Sequence, residues 1–456
     1  MQSRRYTFAE LVVLSVVVLI ATFEKAAGEE QNLVAEFRTA KSAIVQQLRD
    51  RDKATRVAAA QKLADYPTSD AVKVLLTQVV ASKDEDLRRA GFEVLLKLNG
   101  NEEVCKLLQN DIAREWKQGK PDAQGFAVLE ALLASELPAA SDHALEVLKQ
   151  AAARQKGGRE ILILLTDDLA LRTGDERLSA LKILMTLPQF KEDFAVRRTI
   201  AQALTRIRSK PSLTSLIELL GQTSGEVRSD IVRYLTHITG QEFGSNANKW
   251  DAWWKEKQEE FEFPPEDKRA EGAPWVPRVL TGPSYYRVPL TGSRILFVMD
   301  TSASMLRGNR IVAARRELIK AISELPADIP FNVVVFNTRV SAWRNKLVPA
   351  SEDNKHSAAY FVEGQGLGNG TASYDALETA INLDAEAIYF VTDGAPVGGK
   401  IVNPAEIVLA ITRLNQFRRT TIHCFGIGVG PEGNLFDTFL STLAQENYGL
   451  YRRVDE

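Results

Sequence analysis

The chain has 456 residues, too long for one ordinary hydrophobic core, so two or three domains are expected. Charged residues make up 25% and hydrophobic ones 45%, the balance of a folded soluble protein. With 57 basic against 59 acidic residues the formal net charge is −2, which gives no basis for nucleic-acid binding or for broad attraction to an anionic membrane.

The first segment reads as an export signal over residues 1–28. Arg4 and Arg5 give a positive start, and the apolar run LVVLSVVVLIATF (Leu11 to Phe23) is too short for a comfortable membrane-spanning helix. Small residues Ala26, Ala27 and Gly28 follow, which places cleavage after Gly28. The alternative is an uncleaved N-terminal membrane anchor. After cleavage no stable membrane span is expected. No cysteine lies beside the segment, which argues against lipid attachment. The only two cysteines, Cys105 and Cys424, fall in different expected domains, so a disulfide framework is excluded. An exported protein so poor in cysteine suits a bacterial envelope, periplasmic or extracellular.

From residue 31 to residue 261 apolar residues recur at i, i+3, i+4 and i+7, interrupted by short Gly, Asp, Ser and Pro breaks. The stretches ATRVAAAQKLADY, EDLRRAGFEVLLKL, AVRRTIAQALTRI and GEVRSDIVRYLTHI resemble one another: a Val or Leu close to an Arg, then an apolar stripe. One helix pair cannot bury such a stripe alone, whereas stacked pairs make a continuous core. This half resembles HEAT or armadillo repeats, with LTSLIELLGQTSGEVRSDIVRYLTHITGQ its best copy; the competing architecture is an ordinary helical bundle. His143 and His237 are isolated in helical patterns and suggest no chemistry. Trp250, Trp253 and Trp254 share one helical face, read as the cap of a repeat stack in preference to a binding platform.

Residues 262–292 are rich in proline and glycine and read as a linker or extended wrap, with YYRVPL offering an edge strand to the C-terminal domain. Residues 293–456 alternate strand and helix. RILFVMD, FNVVVFNT, AEAIYFVTDG, TTIHCFGIGVG and LYRRV read as strands. NRIVAARRELIKAISEL, SYDALETAIN, PAEIVLAITRLNQF and NLFDTFLSTLAQENYG read as helices. The expected fold is therefore an all-α solenoid followed by a doubly wound, mostly parallel α/β sheet. Ligands of such sheets bind at the carboxyl ends of the strands.

Those ends gather oxygen. Asp300, Ser302 and Ser304 stand at alternate positions after the first strand, Asp393 follows another in YFVTDG, and Thr371 ends the glycine-rich loop GLGNGT. Asn369-Gly370-Thr371 also spells a glycosylation sequon, but Thr371 has a place in the oxygen cluster. Two nearby carboxylates repel unless protonated or shared with a cation. Hydroxyls and carboxylates are hard ligands, so Mg²⁺, Mn²⁺ or Ca²⁺ is favoured over zinc or copper.

The five positions together resemble the metal-ion-dependent adhesion site of von Willebrand factor type A domains, over residues 294–454. The resemblance implies a divalent cation, Mg²⁺ first among the three. Ser302 and Ser304 would be direct ligands, and Thr371 would bind directly or through water. Asp300 and Asp393 would act through water and by orienting the hydroxyls. An open position on the ion would take a Glu or Asp from a partner protein. Family members usually have Gly between the two serines, where this chain has Ala303, and a methyl there would narrow access or shift the loop. The function this implies is a non-enzymatic, exported adaptor with no catalytic residue, its solenoid free to hold a second protein. Two alternatives are a Mg²⁺-dependent phosphotransferase with Asp300 as nucleophile, and a solenoid scaffold regulated by the type A domain. Against the first, the general-acid position two residues on is Ser302, which cannot protonate a leaving group.

Overall fold

The structure is a computed structural model that describes residues 31–118, 123–153, 158–172, 176–265 and 282–454. The expected export segment, most of the linker and the last two residues lie outside the described residues. The chain forms two compact units that meet in sequence between Asp168 and Leu169.

The first unit is helical, and its helices stack alternately. Lys53–Gln61 packs on Glu85–Leu98, which packs on Ala123–Leu133; in a second layer Ser69–Val74 packs on Glu102–Gln118, which packs on Pro138–Ala153. This i to i+2 stacking is the arrangement of a two-layer solenoid, in which each pair buries its stripe against the next. Leu63, Val79, Val94, Leu95, Leu108, Val128 and Leu132 form the buried seam. The arginines seen close to the apolar residues have a structural task here. Arg56 reaches across to the next pair and holds Asp84 by Nε at 3.0 Å and Nη2 at 2.7 Å. The other oxygen of Asp84 accepts from the backbone N–H groups of Asp86 and Leu87, capping the helix Glu85–Leu98.

The second unit opens with more helices of the same kind, including Phe194–Ile207, Lys210–Gln222, Gly225–Thr239 and Ala247–Lys257. Trp250 and Trp254 are buried; their indole N–H groups donate to Gly244 O at 2.8 Å and Thr214 Oγ1 at 2.9 Å. Trp250 packs edge-on against Phe243 and Trp254 against Phe261, so these two rings are used in packing.

The α/β part of this unit holds nine strands among the described residues. They are β1 (Ser284–Tyr285), β2 (Val288–Pro289), β3 (Ile295–Asp300), β4 (Pro330–Phe336), β5 (Val340–Ala342), β6 (Val348–Pro349), β7 (Ala387–Thr392), β8 (Thr421–Ile427) and β9 (Tyr451–Val454). The large sheet runs β5-β4-β3-β7-β8-β9, with β6 also on β4. β3 pairs in parallel with β4 and β7, β7 with β8 and β8 with β9; β5 and β6 run antiparallel to β4. Every residue of β3, β7 and β8 is buried, which explains their unbroken apolar runs. Phe297, Phe331 and Tyr389 fill one face; Val298, Phe336 and Phe390 fill the other.

YYRVPL does not join the large sheet as an edge strand. Tyr286 and Arg287 both take positive φ, 45° and 63°, closing β1 on β2 as a separate two-stranded hairpin. Tyr285 from this hairpin is fully buried against Phe297, Tyr389 and Phe425. The hairpin thereby places an aromatic ring in the core of the large sheet.

The amino ends of β7 and β8 meet the helices of the same unit. Arg198 Nη1 donates to Arg419 O and to Thr421 Oγ1, each at 2.7 Å, while its Nε donates to Asp230 at 2.8 Å. Glu226 accepts from the Thr291 hydroxyl at 2.6 Å and the Thr421 hydroxyl at 3.2 Å. The carboxyl ends of the strands, where the oxygen-rich loops lie, are the opposite edge of the sheet.

Candidate functional site

Asp300 is the last residue of β3, wholly buried. One carboxylate oxygen accepts from the Ser302 N–H at 2.7 Å, and the other accepts from the Thr392 hydroxyl at 2.6 Å. Burial pushes its pKa up to about 6, against the pull of these hydrogen bonds. The chain then turns into a short 3₁₀ segment, Ala303–Asn309, which aims both serines at the same place. Ser302 Oγ lies 2.9 Å from Ser304 Oγ, and Ser304 Oγ donates to Asp393 Oδ1 at 2.6 Å. Ala303 is exposed and its φ is not positive, so a methyl fits that turn without backbone strain.

Thr371 arrives from the far side on a loop pinned by backbone bonds. Gly368 N–H donates to Thr301 O at 3.0 Å, Thr338 N–H to Asn369 O at 2.9 Å, and Ala372 N–H to Asn337 O at 2.8 Å. Gly370 has φ +69°, and a Cβ there would stand 2.6 Å from Thr338 Cγ2, so glycine is required for the loop to lie this close to Thr338. Gly394 separates Ser304 from Thr371: a Cβ on it would be 3.5 Å from Ser304 Oγ and 3.9 Å from Thr371 Oγ1. The missing side chain leaves the two hydroxyls facing a common space. The structure therefore brings Asp300, Ser302, Ser304, Thr371 and Asp393 to one end of the sheet.

Two contributors went unseen in the sequence. Thr392 fixes the second oxygen of Asp300, and its signal was only its place beside the TDG aspartate. Arg310 forms an ion pair with Asp393, Nη1 to Oδ2 at 2.9 Å, in which the aspartate side chain is fully buried. Its signal was an anomaly: a cation as first residue of a helix, where the dipole disfavours it.

Chemically, the cluster offers three hydroxyls and two carboxylates, with neither sulfur nor imidazole. That donor set and the space at Gly394 suit a small hard divalent cation. Among the described residues no three His, Cys, Asp or Glu side chains gather into a conventional metal cage, so any ion here would rest mainly on neutral hydroxyls. Elsewhere, Cys424 is buried with its thiol pKa pushed well up by desolvation, in keeping with a packing role.

Residues 293–453 match the family model of the von Willebrand factor type A domain. The chain carries a von Willebrand factor type A domain. Residues 42–118 match HEAT repeats, so the matched copies lie in the first unit and not at residues 213–241, the stretch that looked most repeat-like. Over 176 residues the chain is 35% identical to human inter-alpha-trypsin inhibitor heavy chain H4 and 29% identical to human heavy chain H1. Each alignment covers 36% of this chain and 18% of the relative, so the chain spans under a fifth of the length of these relatives. Among solved structures it is similar to a von Willebrand factor type A protein from Catenulispora acidiphila, at 21% identity and TM-score 0.32, covering 36% of this chain and 38% of that one. No described helix is long and apolar enough to cross a membrane.

Proposed function

We propose that this protein is an exported, non-enzymatic interaction protein whose type A domain captures an acidic residue of a partner protein through a divalent cation. Ser302, Ser304 and Thr371 would hold the ion through their hydroxyls. Asp393, which accepts from Ser304, and Asp300, which accepts from the Ser302 N–H, would orient those donors. When bound, the ion would supply a positively charged open position, since neutral hydroxyls leave most of its charge uncancelled. A Glu or Asp side chain is the complement of such a position, with Mg²⁺ the first candidate ion and Mn²⁺ or Ca²⁺ the others.

The observation that supports this reading most is the continuous chain of contacts Ser302–Ser304–Asp393, with Thr371 facing the same space. The similarity to heavy chains of an inhibitor, components of a multi-chain protein by name, agrees with a protein partner. A phosphotransferase role for Asp300 fits less well. Each of its oxygens already accepts a hydrogen bond and the side chain is wholly buried, which disfavours attack on a substrate. Export rests on the composition of residues 1–28, and the helical repeats offer a second protein-binding surface.

Titration calorimetry of the full chain with Mg²⁺ and Mn²⁺, beside the Ser302→Ala/Ser304→Ala variant, tests the site. Binding in the first that is lost in the second supports the proposal; a wild type that takes up neither ion, or a variant that binds equally well, contradicts it.

A further inference from the structure

Helix Arg310–Glu324 begins with a guanidinium where the helix dipole would favour an anion, and the Asn309 side chain in front of it makes no capping bond. An ion pair with Asp393 offsets that misfit. Arg310 Nη1 lies 2.9 Å from Asp393 Oδ2, with the arginine side chain only 10% exposed. The other oxygen of Asp393 accepts the Ser304 hydroxyl at 2.6 Å. One carboxylate is thus divided between a permanent cation and a hydroxyl of the candidate site.

A guanidinium stays charged at every pH where proteins fold. Buried beside Asp393 it is poorly screened, so it repels any further cation brought up to the same carboxylate. It also leaves Asp300, Asp393 and Arg310 with a joint formal charge of −1 in place of −2. A divalent ion among Ser302, Ser304 and Thr371 would therefore lack part of the attraction that two carboxylates alone would give.

We propose that Arg310 is a positioning residue that works as an internal counter-charge. It fixes Asp393 for Ser304 and holds divalent affinity low, so that the ion is retained firmly only when an acidic ligand adds its own carboxylate. This rests on the metal-dependent reading above. Ion and acidic ligand then bind cooperatively, each raising the affinity of the other by the same factor.

The experiment titrates Mn²⁺ into the full chain as wild type, Arg310→Gln and Arg310→Lys, with melting curves in chelator. Arg310→Gln is expected to bind Mn²⁺ at least tenfold more tightly, a difference of about 1.4 kcal/mol. It should also melt at a lower temperature in chelator, because Asp393 loses its buried charge partner. Arg310→Lys keeps the charge and should keep the wild-type affinity. In the wild type, which needs no substitution to fold, excess acetate at matched ionic strength should raise the affinity for Mn²⁺. Unchanged or weaker binding in Arg310→Gln, an equal gain in Arg310→Lys, or indifference to acetate would overturn this role while leaving the metal site standing. Absence of Mn²⁺ binding in all three folded proteins would overturn it together with the metal-dependent reading.

Discussion

Arg198, on a helix of the repeat type, donates to the hydroxyl of Thr421, the first residue of β8, at 2.7 Å. The same guanidinium also serves Asp230 and the carbonyl of Arg419, and lies 4.5 Å from the ring of Tyr448. One fully buried cation thus ties helices Phe194–Ile207 and Gly225–Thr239 to the amino edge of the sheet. Removing it would strand buried acceptors and a carboxylate. Arg198→Met should destabilise the protein by about 3–5 kcal/mol, the usual cost of breaking one side of a buried pair. Denaturant unfolding followed by tryptophan fluorescence and by far-ultraviolet dichroism would measure it; a loss below about 1 kcal/mol would show that the contact is incidental.

Asp300 is held against its preference. Burial raises its pKa to about 6 from an ordinary 3.8, so the ionised form weakens the fold at neutral pH. By linkage, a raised carboxylate favours folding at low pH and loses that advantage as pH rises through its folded value. Asp300→Asn should therefore raise stability at pH 7.5 in chelator, by about 1–3 kcal/mol. The same variant should lose divalent binding. A variant less stable than wild type in chelator would show that the two hydrogen bonds of Asp300 outweigh its desolvation.

Gly394→Ala separates access from folding. The added methyl would meet Ser304 Oγ at 3.5 Å and Thr371 Oγ1 at 3.9 Å, ordinary contact distances, and the φ of Gly394 is not positive. Stability should change by less than about 1 kcal/mol, the scale of surface-type substitutions. Mn²⁺ affinity should fall tenfold or more, because the methyl fills the space the hydroxyls face. Unaltered affinity in calorimetry would place the ion elsewhere.

His423 gives the fold an acid limit. Burial, then the charges of Arg233 and Arg198, push its pKa down to about 3, and its Nδ1 accepts from the Leu450 N–H at 3.1 Å. The folded form keeps the ring neutral, while the unfolded chain protonates near 6.5. Its contribution is complete above about 6.5 and is lost as pH falls toward 3; between about pH 7 and 5 this amounts to about 2 kcal/mol. Asp300, Glu226 and Glu386, all raised by burial, work in the opposite sense at lower pH. His423→Gln should flatten the stability profile between pH 7 and 5. A variant profile parallel to the wild type would assign the acid limb to other groups.

Much of the fold was legible because buried parallel strands leave unbroken apolar runs. RILFVMD and AEAIYFVTDG became β3 and β7 with boundaries shifted by a residue or two, and SYDALETAIN became the helix Ser373–Asn382. The short antiparallel strands β5 and β6 were not legible: VSA and VP are partly exposed and too brief to show alternation. The hairpin at Tyr286 and Arg287 was hidden because its positive φ values fall on residues with no turn signature. The five oxygen-bearing residues were readable from spacing, since the topology sends every carboxyl end of the parallel strands to one edge. Arg310 was not, because an arginine in an amphipathic helix looks like solvent-facing surface until its partner across 83 residues is seen. Arg198 and Glu226 were missed for the same reason: a repeat-like pattern gives no sign that one of its faces is committed to a neighbouring sheet.

The central claim is that a divalent ion in this site takes a carboxylate from outside the chain. Its most direct test is an array of short peptides with a central Glu or Asp, each paired with its Gln or Asn counterpart, probed with the full chain in Mn²⁺ and in chelator. The account predicts capture of acidic peptides in Mn²⁺ alone, with no capture of the amide counterparts and none by Ser302→Ala/Ser304→Ala. Capture that survives chelator, or that treats Glu and Gln alike, would contradict it.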